Sequence, residues 1–425
     1  MTGKLEDDCF FHDKDRLPHA EALAILKSRV RPVSNVEIVP LEKAAGRYLA
    51  EAVVAPRPIP AHDNAAVDGY SFAHSSYDQT QGTRFRVVGE AAAGHPFAAV
   101  LPANTAVRIF TGAVMPSGHD TVAMQEDVRI EKQDKELFAA IPGGLKRGAN
   151  RRLAGEDAKQ GSVLLEPSQR LRPQDLATAA ACGLDRLGCY APLRVAIFST
   201  GDEILRPGQA FAPGKVYDAN APMLESLIAS VGAEPADIGV LADDATRVRD
   251  ALEDAASRYH VLIISGGASQ GAEDHVAKTL GAIGRRHLWQ IAIKPGRPMS
   301  FGQIGDCVVL SLPGNPVAVF VCFLLYVRPV LARLAGGAWP EPVRYPVPAA
   351  FSQTKKKGRR EFWRARLVTK DGKLSALKFA RDGSGLISSL RESNGLIEVP
   401  EEVTEIREGD LIDFIPYSEF GLNPP

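Results

Sequence analysis

Between Leu193 and Gly337 the sequence alternates apolar runs typical of buried strands with amphipathic patterns typical of helices, and this alternation constrains the fold most. Because strands that alternate with helices at this spacing are joined by crossover connections, the segment predicts a mostly parallel, doubly wound sheet. The predicted elements are strands at Leu193–Thr200, Ile238–Leu241 and Val261–Ile264, and helices at Pro222–Val231 with Asn220 as a possible N-cap, after Asp243 or Asp244, and after Asp274.

The same segment continues with a strand that ends at Ile293, a hairpin and a long apolar helix. The hairpin pairs Pro298–Gly302 with Cys307–Leu312. The helix begins at Asn315-Pro316 and reaches Leu334, because asparagine is a common N-cap and proline is favoured in the first turn. The longest apolar run, around Val317–Val327, is too short to cross a bilayer and is followed by Arg328.

The flanking segments predict two β-rich regions. Val53–Arg152 is rich in glycine, proline and short apolar runs, and Tyr345–Pro416 alternates short strands with turns. The predicted fold class is therefore multidomain α/β plus β. Its predicted domains are an N-terminal helix and linking domain (16–54 and 162–192), a β-rich inserted domain (55–161), the doubly wound domain (193–338) and a C-terminal β-barrel domain (341–425).

Charge and cysteine content narrow the partners and the compartment. The 425 residues carry 50 basic and 51 acidic side chains, a formal net charge of −1, so we expect neither a nucleic-acid nor a membrane partner. The five cysteines form no Cys-x-x-Cys pair, and the N-terminus lacks the apolar stretch of a signal peptide. A cytoplasmic location is expected.

Four polar loops follow strands of the predicted sheet, where helix N-termini present unpaired N–H groups and ligands bind. In the first loop, Ser199–Glu203, the carboxylates of Asp202 and Glu203 could hold Mg²⁺ or accept a proton. In the second, Ser265-Gly266-Gly267 could form a nest of N–H groups for phosphate, and Asp274 could hold a metal that bridges phosphate oxygens. Ordinary turn chemistry is the alternative for each loop alone.

The other two loops favour an anion. Lys294 and Arg297 lie in a proline-stiffened turn, where they could clamp an oxyanion with little loss of entropy. The loop Leu312–Pro316 directs the N-terminus of the long helix at the same region. The alternatives are a basic surface turn and a plain helix start.

Three further segments are ambiguous from their residues alone. Asp68 lies in the turn Asp63–Tyr70, and Thr111 precedes a glycine at a strand end, yet neither differs from an ordinary loop on physical grounds. The basic run Lys355–Arg360 could steer an anionic substrate, but a solvated loop is the default interpretation.

Together these motifs resemble the molybdopterin molybdenumtransferase family, the MoeA type that includes the gephyrin E domain. The resemblance extends from about residue 20 into the C-terminal domain, with the motifs in family order. The matching segments are Asp63-Asn64 to Asp68-Gly69-Tyr70, Thr111-Gly112-Ala113, Ala123–Glu126, Gly155-Glu156-Asp157, Ser199–Glu203, Tyr217–Asn220, Asp243-Asp244, Ser265-Gly266-Gly267, Ile293–Pro298, Leu312–Pro316 and Gly358–Phe362.

The resemblance implies a homodimer with its active site at the subunit interface, where the doubly wound domain, of MogA/MoaB type, binds the pterin phosphate and the partner's β-rich domain closes the cleft. The implied substrates are adenylylated molybdopterin and molybdate, the implied products are molybdenum cofactor and AMP, and Mg²⁺ assists. Molybdopterin adenylyltransferase and molybdoenzyme maturation proteins are the implied protein partners. Sulfur ligands for molybdenum would come from the substrate, consistent with the lack of a cysteine cluster.

The resemblance also implies roles for individual residues. The catalytic group is Asp68, Glu203, Asp274, Lys294 and Arg297. The implied metal ligands are Asp274 and Asp202. The substrate-binding group is Thr111, Thr200, Gly201, Asp202, Asp243, Ser265, Gly266, Gly267, Ser300, Pro313, Gly314, Asn315 and Pro316.

Two other functions remain open, and two positions depart from the family pattern. A single-domain pterin adenylyltransferase would share the sheet and its loops and use ATP, but it would lack the flanking β-rich domains. A scaffolding protein that keeps the fold as a binding module is the second alternative. Arg297 stands where many relatives have lysine, which exchanges a point charge for a bidentate fork, and His275 stands where tyrosine is frequent.

Overall fold

A computed structural model of the chain describes residues 16–241, 244–266, 275–370 and 372–422. The chain divides into two compact units. The β-rich unit comprises Glu51–Pro167 and Arg172–Arg186, and the main unit comprises the described residues of 16–50, 168–171 and 187–422. The finer division into four domains stays a prediction.

The described residues form helices and strands in the following order. The α-helices are α1 (His19–Arg29), α2 (Pro173–Ala181), α3 (Asn220–Ser230), α4 (Ala245–Arg258), α5 (His275–Ile283), α6 (Pro316–Cys322), α7 (Arg328–Leu334) and α8 (Ser388–Arg391). Short 3₁₀ turns lie at Leu41–Lys43, His74–Ser76, Gln125–Asp127 and Tyr417–Phe420, and a π-helical turn lies at Phe323–Val327. The strands are β1 (Val36–Pro40), β2 (Val53–Val54), β3 (Asn64–Ala65), β4 (Gly69–Phe72), β5 (Thr83–Ala91), β6 (Thr105–Ile109), β7 (Thr121–Met124), β8 (Arg129–Gln133), β9 (Glu136–Ile141), β10 (Arg151–Arg152), β11 (Val163–Leu165), β12 (Arg186–Tyr190), β13 (Arg194–Thr200), β14 (Ile204–Leu205), β15 (Val216–Tyr217), β16 (Glu234–Leu241), β17 (Val261–Ser265), β18 (Arg285–Trp289), β19 (Ile293–Lys294), β20 (Ser300–Ile304), β21 (Cys307–Leu312), β22 (Tyr345–Pro348), β23 (Gln353–Thr354), β24 (Arg360–Lys370), β25 (Lys373–Lys378), β26 (Gly395–Val399), β27 (Glu405–Ile406) and β28 (Leu411–Pro416).

The central sheet of the main unit confirms the predicted doubly wound fold. Its order is β16-β13-β17-β21-β20-β18, in which the first four strands are parallel, β20 is antiparallel to β21, and β18 is antiparallel to β20. Val195 and Ile197 of β13 pack on one face with α3 and α6, whereas Ala196 and Phe198 pack on the other with α4 and α5. Because successive side chains of a strand point to opposite faces, an almost wholly apolar strand is buried on both sides.

One long helix crosses the core of the main unit. It runs from α6 through the π-helical turn into α7, and by length and composition its Pro316–Leu334 segment could cross a membrane. Within the structure, however, 89% of that segment is buried, as in a core helix. Tyr326 in the π-helical turn hydrogen-bonds through its hydroxyl to Nδ1 of His19 at 2.6 Å, which joins the helix to α1.

The strand predicted to end at Ile293 is present as β19, but the prediction that it belongs to the doubly wound region is wrong, because it pairs with another sheet. Strand β19 pairs in parallel with β24, so Lys294 lies at the edge of the C-terminal sheet. That sheet has the order β19-β24-β26-β28-β22, with β25 also paired to β24. An isolated bridge between Ala349 and Ala376 connects the residue after β22 with β25, as a curled sheet requires. Closure into a barrel stays a prediction.

The β-rich unit has its own sheet and core. The sheet order is β7-β4-β6-β5-β9-β8, and the rings of Phe72 and Phe85 stack in its core at 5.1 Å. The unit also contains α2, which opens with Pro173.

The two predicted N-caps, Asp244 and Asn220, behave differently. Asp244 caps α4, because its carboxylate accepts the backbone N–H of Arg247 at 2.8 Å. Asn220, by contrast, is the first residue of α3 and makes no side-chain capping bond. Its amide group is used elsewhere, because the carboxylate of Asp218 already accepts the first N–H groups of the helix.

Candidate active site

A cavity of about 320 Å³ lies in the main unit and combines parts of both of its large sheets. Its walls come from the end of β17, the turn after β19, the start of α6, and β24 with the loop that follows β25. The lining residues are Gly266, Lys294, Pro295, Gly296, Arg297, Pro298, Pro313, Gly314, Asn315, Ala318, Phe362, Trp363, Arg364, Asp382 and Ser384.

Lys294 is held at the cavity by a buried carboxylate. Its Nζ lies 3.7 Å from Oε2 of Glu361, whose side chain is 3% exposed. Glu361 also accepts hydrogen bonds from Nε of Arg359 and Nε1 of Trp363, each at 2.8 Å. These donors fix the carboxylate, so the ammonium group of Lys294, whose side chain is 37% exposed, stays near the cavity.

Arg364 presents a second, more rigid cation. Its Nε donates to Oγ of Ser389 at 3.0 Å, and its Nη2 donates to the carbonyl oxygens of Arg381 and Gly383 at 3.2 Å each. Burial lowers the pKa of Arg364, but an arginine so far from neutrality stays charged. The side chain lines the cavity and adds a fixed positive charge to its wall.

Asp382 supplies a negative charge to the same wall. Burial raises the pKa of its carboxyl group, but the hydrogen bond and charge of Lys378, together with the charges of Lys294 and Arg364, outweigh burial and lower the pKa overall. Asp382 is therefore ionised at neutral pH. It offsets part of the positive potential that Lys294, Arg297 and Arg364 create.

Backbone forms much of the remaining wall. Gly266 has φ +105°, and a Cβ there would lie 2.6 Å from Oγ1 of Thr200. Gly296 has φ +107°, and a Cβ there would collide with Sγ of Cys322. Neither position accepts a side chain without strain, because the added Cβ would point into the protein, and both glycines contribute main-chain atoms to the cavity lining. The start of α6 at Asn315-Pro316 adds the positive end of a helix dipole, which favours an anion, although the N–H of Val317 already donates to the carbonyl oxygen of Ser384 at 3.1 Å.

The loop Ser199–Glu203 lies against the end of β17 at Ser265. Thr200 donates its hydroxyl to the carbonyl oxygen of Ser265 at 3.3 Å. Gly201 has φ +127°, and a Cβ there would overlap the carboxylate of Glu203, which folds back over it. Asp202 is exposed, and its carbonyl oxygen accepts a hydrogen bond from Nζ of Lys215.

The structure brings together about half of the predicted site residues in the main unit. Ser265 and Pro316 adjoin the cavity wall at the end of β17 and the start of α6, whereas Ser300 is buried in β20 opposite Ser311. Asp243, Gly267 and Asp274 lie outside the described residues. Those that line the cavity are Gly266, Lys294, Arg297, Pro313, Gly314 and Asn315.

The predicted metal role has no further support. Among the described residues, no group of three or more His, Cys, Asp or Glu side chains could hold a metal ion. The metal roles of Asp202 and Asp274 stay predictions.

In the β-rich unit, Asp68 and Thr111 meet. The Oδ1 atom of Asp68 accepts hydrogen bonds from both the backbone N–H and the hydroxyl of Thr111, each at 2.7 Å. The backbone bond, the hydroxyl bond and the charge of Arg108 lower the pKa of Asp68. A half-buried, ionised carboxylate is thus held in one orientation.

Sequence reasoning missed the contribution of β24 and of the loop after β25. Phe362, Trp363, Arg364, Asp382 and Ser384 were not predicted as site residues, although Gly358–Phe362 was one of the matching motifs. One signal was available, since Arg364 is a charged residue within the otherwise apolar strand pattern of Phe362–Ala365. A charged side chain in an apolar strand is buried only where hydrogen-bonding or oppositely charged groups pair with it, or where it lines a functional site.

Three family models match successive parts of the chain. Residues 17–183 match the MoeA N-terminal region (domain I and II), residues 196–333 match a probable molybdopterin binding domain, and residues 346–417 match the MoeA C-terminal region (domain IV). The matches outside the central domain favour this family over the single-domain adenylyltransferases.

Relatives and a solved structure agree with these matches. The chain is 34% identical over 387 residues to a molybdopterin molybdenumtransferase of Haemophilus influenzae, covering 91% of this chain and 95% of the relative. It is 35% identical over 390 residues to one of Nostoc sp., covering 88% and 87%. The crystal structure of a molybdopterin biosynthesis MoeA protein from Pyrococcus horikoshii OT3 matches with a TM-score of 0.80 and 30% identity, covering 95% of this chain and all of that chain.

A doubly wound sheet whose strand-end loops help to form a cationic, glycine-lined cavity is the arrangement of an α/β enzyme suited to an anionic ligand. The chain belongs to the MoeA family of molybdopterin molybdenumtransferases. It is accordingly a transferase of molybdenum cofactor biosynthesis.

Proposed function

We propose that the enzyme inserts molybdenum from molybdate into adenylylated molybdopterin and releases AMP. The observation that carries this proposal is the meeting of Lys294, Arg297 and Arg364 around one glycine-lined cavity. Such a cavity suits a small tetrahedral dianion, because guanidinium forks and an ammonium group bind oxyanions through charge-assisted hydrogen bonds.

In this proposal the two sides of the cavity have different tasks. The cations on the turn after β19 and on β24 bind molybdate. The positive end of the α6 dipole, beside the glycines Gly266 and Gly314 that leave room for a ligand, receives the phosphate of the pterin substrate. Holding both reactants in one cavity converts their encounter into an intramolecular step, which is a large part of what an enzyme can contribute.

Asp68 and Thr111 have a proposed role in the same reaction. Both Thr111 donors use the Oδ1 atom of Asp68, so the other carboxylate oxygen is oriented for a ligand or a proton. We propose that the enzyme is a cytoplasmic homodimer, in which these residues come from the partner's β-rich unit and close the active site. Molybdopterin adenylyltransferase, as the supplier of the adenylate, and molybdoenzyme maturation proteins are the proposed partners.

Glu203 remains a proposed catalytic residue, and Mg²⁺ remains a proposed cofactor. The part of the chain that the structure describes contains no cluster of three metal ligands.

The test is molybdate-dependent AMP release by the purified protein supplied with adenylylated molybdopterin and Mg²⁺. Lys294→Met and Arg297→Met should each lower the rate at limiting molybdate, because each removes one cation from the cavity. Arg366→Met is the matched control, since Arg366 lies on the same strand as Arg364 but is exposed. Unchanged rates in the two cavity variants would refute the proposed oxyanion site.

The wild-type result separates the remaining functions. Binding of the adenylate without AMP release would favour the binding module. AMP release that does not depend on molybdate would indicate a different transfer reaction.

A further inference from the structure

Asn220 joins two of the loops that form the cavity. It is the first residue of α3 and is 8% exposed. One amide group, Nδ2, donates to Oγ of Ser265 at 2.8 Å and to the carbonyl oxygen of Gly314 at 2.7 Å. Ser265 ends β17 next to Gly266, and Gly314 precedes α6, so a single side chain connects the two backbone segments.

Asn220 is itself held in place by Asp218. One carboxylate oxygen of Asp218 accepts the backbone N–H groups of Asn220 and Ala221 at 3.0 Å each, and the other accepts Nη1 of Arg206 at 2.9 Å. The Asp218 side chain is 2% exposed. The start of α3 is therefore anchored, and the Asn220 amide approaches the loops from a fixed point.

The use of the amide distinguishes this asparagine from a helix cap. A capping asparagine accepts through Oδ1, whereas the Oδ1 of Asn220 is buried and has no hydrogen-bond partner within the described parts of the chain. Leaving a buried acceptor unpaired costs free energy. Stabilisation of α3 alone does not account for an arrangement in which only the donors are used.

The two loops are close enough for this connection to set the cavity wall. A Cβ on Gly314 would lie 3.8 Å from Cα of Gly266, so the two glycines face each other across a small gap. The backbone N–H of Gly266 also donates to the carbonyl oxygen of Leu312 at 3.0 Å. A shift of either segment would change the spacing of the main-chain groups that a phosphate would contact.

We infer that Asn220 is a positioning residue that fixes the Ser265-Gly266 loop against the Gly314 loop and so shapes the phosphate-binding wall of the active site. The catalytic consequence rests on the proposed function, whereas the structural consequence does not. Asn220 acts through the two loops and needs no contact with substrate.

The test compares Asn220→Ala and Asn220→Asp with a control on the same helix. Asn220→Asp keeps the shape of the side chain but replaces the donors by acceptors, which repel the carbonyl oxygen of Gly314. Ser230→Ala is the control, because Ser230 ends α3 and its hydroxyl donates only to the local carbonyl oxygen of Leu227. Ser265→Ala removes one of the two connections and keeps the other.

Two readouts are needed. Without ligand, hydrogen–deuterium exchange should rise in peptides covering 261–266 and 312–319 in both Asn220 variants, and mainly in 261–266 for Ser265→Ala. With substrates, KM for the pterin adenylate should rise by the order of ten-fold or more, because a misplaced wall weakens binding. The fall in kcat should be smaller, and Ser230→Ala should match the wild type in both measurements.

Failure of the positioning role and failure of the proposed function give different results. Unchanged exchange in both peptides would overturn the positioning role, whether or not the enzyme releases AMP. Increased exchange in a protein whose wild type never consumes molybdate would refute the proposed function and leave the positioning role standing. Loss of folding in Asn220→Ala would shift the decision to Ser265→Ala, where unchanged exchange and unchanged KM would overturn the inference.

Discussion

Replacing Gly296 by alanine should damage both the stability and the ligand binding of the main unit. Gly296 has φ +107°, a conformation that costs an L-residue roughly 1–2 kcal/mol. The new Cβ would overlap Sγ of Cys322, which is fully buried, and would lie 3.2 Å from Cδ1 of Ile293. Relieving such overpacking costs roughly 1–3 kcal/mol, so we expect a total loss of about 2–5 kcal/mol.

The second effect concerns the cations on either side of this glycine. Lys294 and Arg297 lie within three residues of each other in the same turn, and both line the cavity. A turn that moves away from Cys322 would displace them, so molybdate binding should weaken together with stability. Urea unfolding measures the first effect, and isothermal titration with molybdate measures the second.

A matched glycine separates backbone strain from collision. Gly409 has φ +93° with nothing within 4 Å of an added Cβ, so Gly409→Ala should lose only the backbone contribution of roughly 1–2 kcal/mol. Removing the sulfur in a Gly296→Ala/Cys322→Ala double variant should cost less than the sum of the single changes. If Gly296→Ala is no less stable than Gly409→Ala and binds molybdate like the wild type, the reasoning is refuted.

Three further predictions concern charged and titratable groups. Burial lowers the pKa of His19 to about 4 from 6.5, against the opposing effects of Glu398 and Glu401, so the unfolded chain binds the proton first as the pH falls. The free energy of unfolding should therefore drop by about 3 kcal/mol between pH 6.5 and pH 4. The urea midpoint of His19→Gln should fall less steeply with decreasing pH than the midpoint of the wild type. Glu361→Gln should destabilise the protein by roughly 1–3 kcal/mol, because it weakens the charge-assisted bonds that orient Lys294, and an unchanged urea midpoint would contradict this. Asp382→Asn should tighten molybdate binding in titration calorimetry, because it removes a negative charge from the cavity, and weaker binding would show instead that the carboxylate contacts the ligand.

Much of the doubly wound domain is predictable because its signals are local. The continuous apolar run of β13, the cap at Asp244 and the start of α6 at Pro316 each depend on a few consecutive residues. The convergence of Gly266 and Asn315 followed from the rule that parallel strands end at one edge of a sheet. Lys294 reaches the cavity from a different sheet, which that rule does not predict.

The other wall of the site depends on pairings that local patterns do not specify. Strand β19 has two residues, too few to show a period, and its partner β24 begins 66 positions after Lys294, at Arg360. Arg364 and Asp382 enter the cavity only because of that pairing. Asn220 was predicted as a cap because the sequence does not show that Asp218 already occupies the N–H groups.

The π-helical turn at Phe323–Val327 has a consequence for how this chain can change by insertion and deletion. Each residue of an α-helix advances the chain by about 100° of rotation, and a π turn holds one residue more than an α turn. Deleting one residue there would restore a regular helix but rotate α7 by about 100° against α6. Arg328 would then lose the carbonyl oxygen of Glu419, to which its Nη2 donates at 3.1 Å, and Tyr326 would leave His19. We therefore expect this helix to tolerate no single-residue deletion during evolution, because such a deletion would require compensating changes both in α1 and in the segment around Glu419.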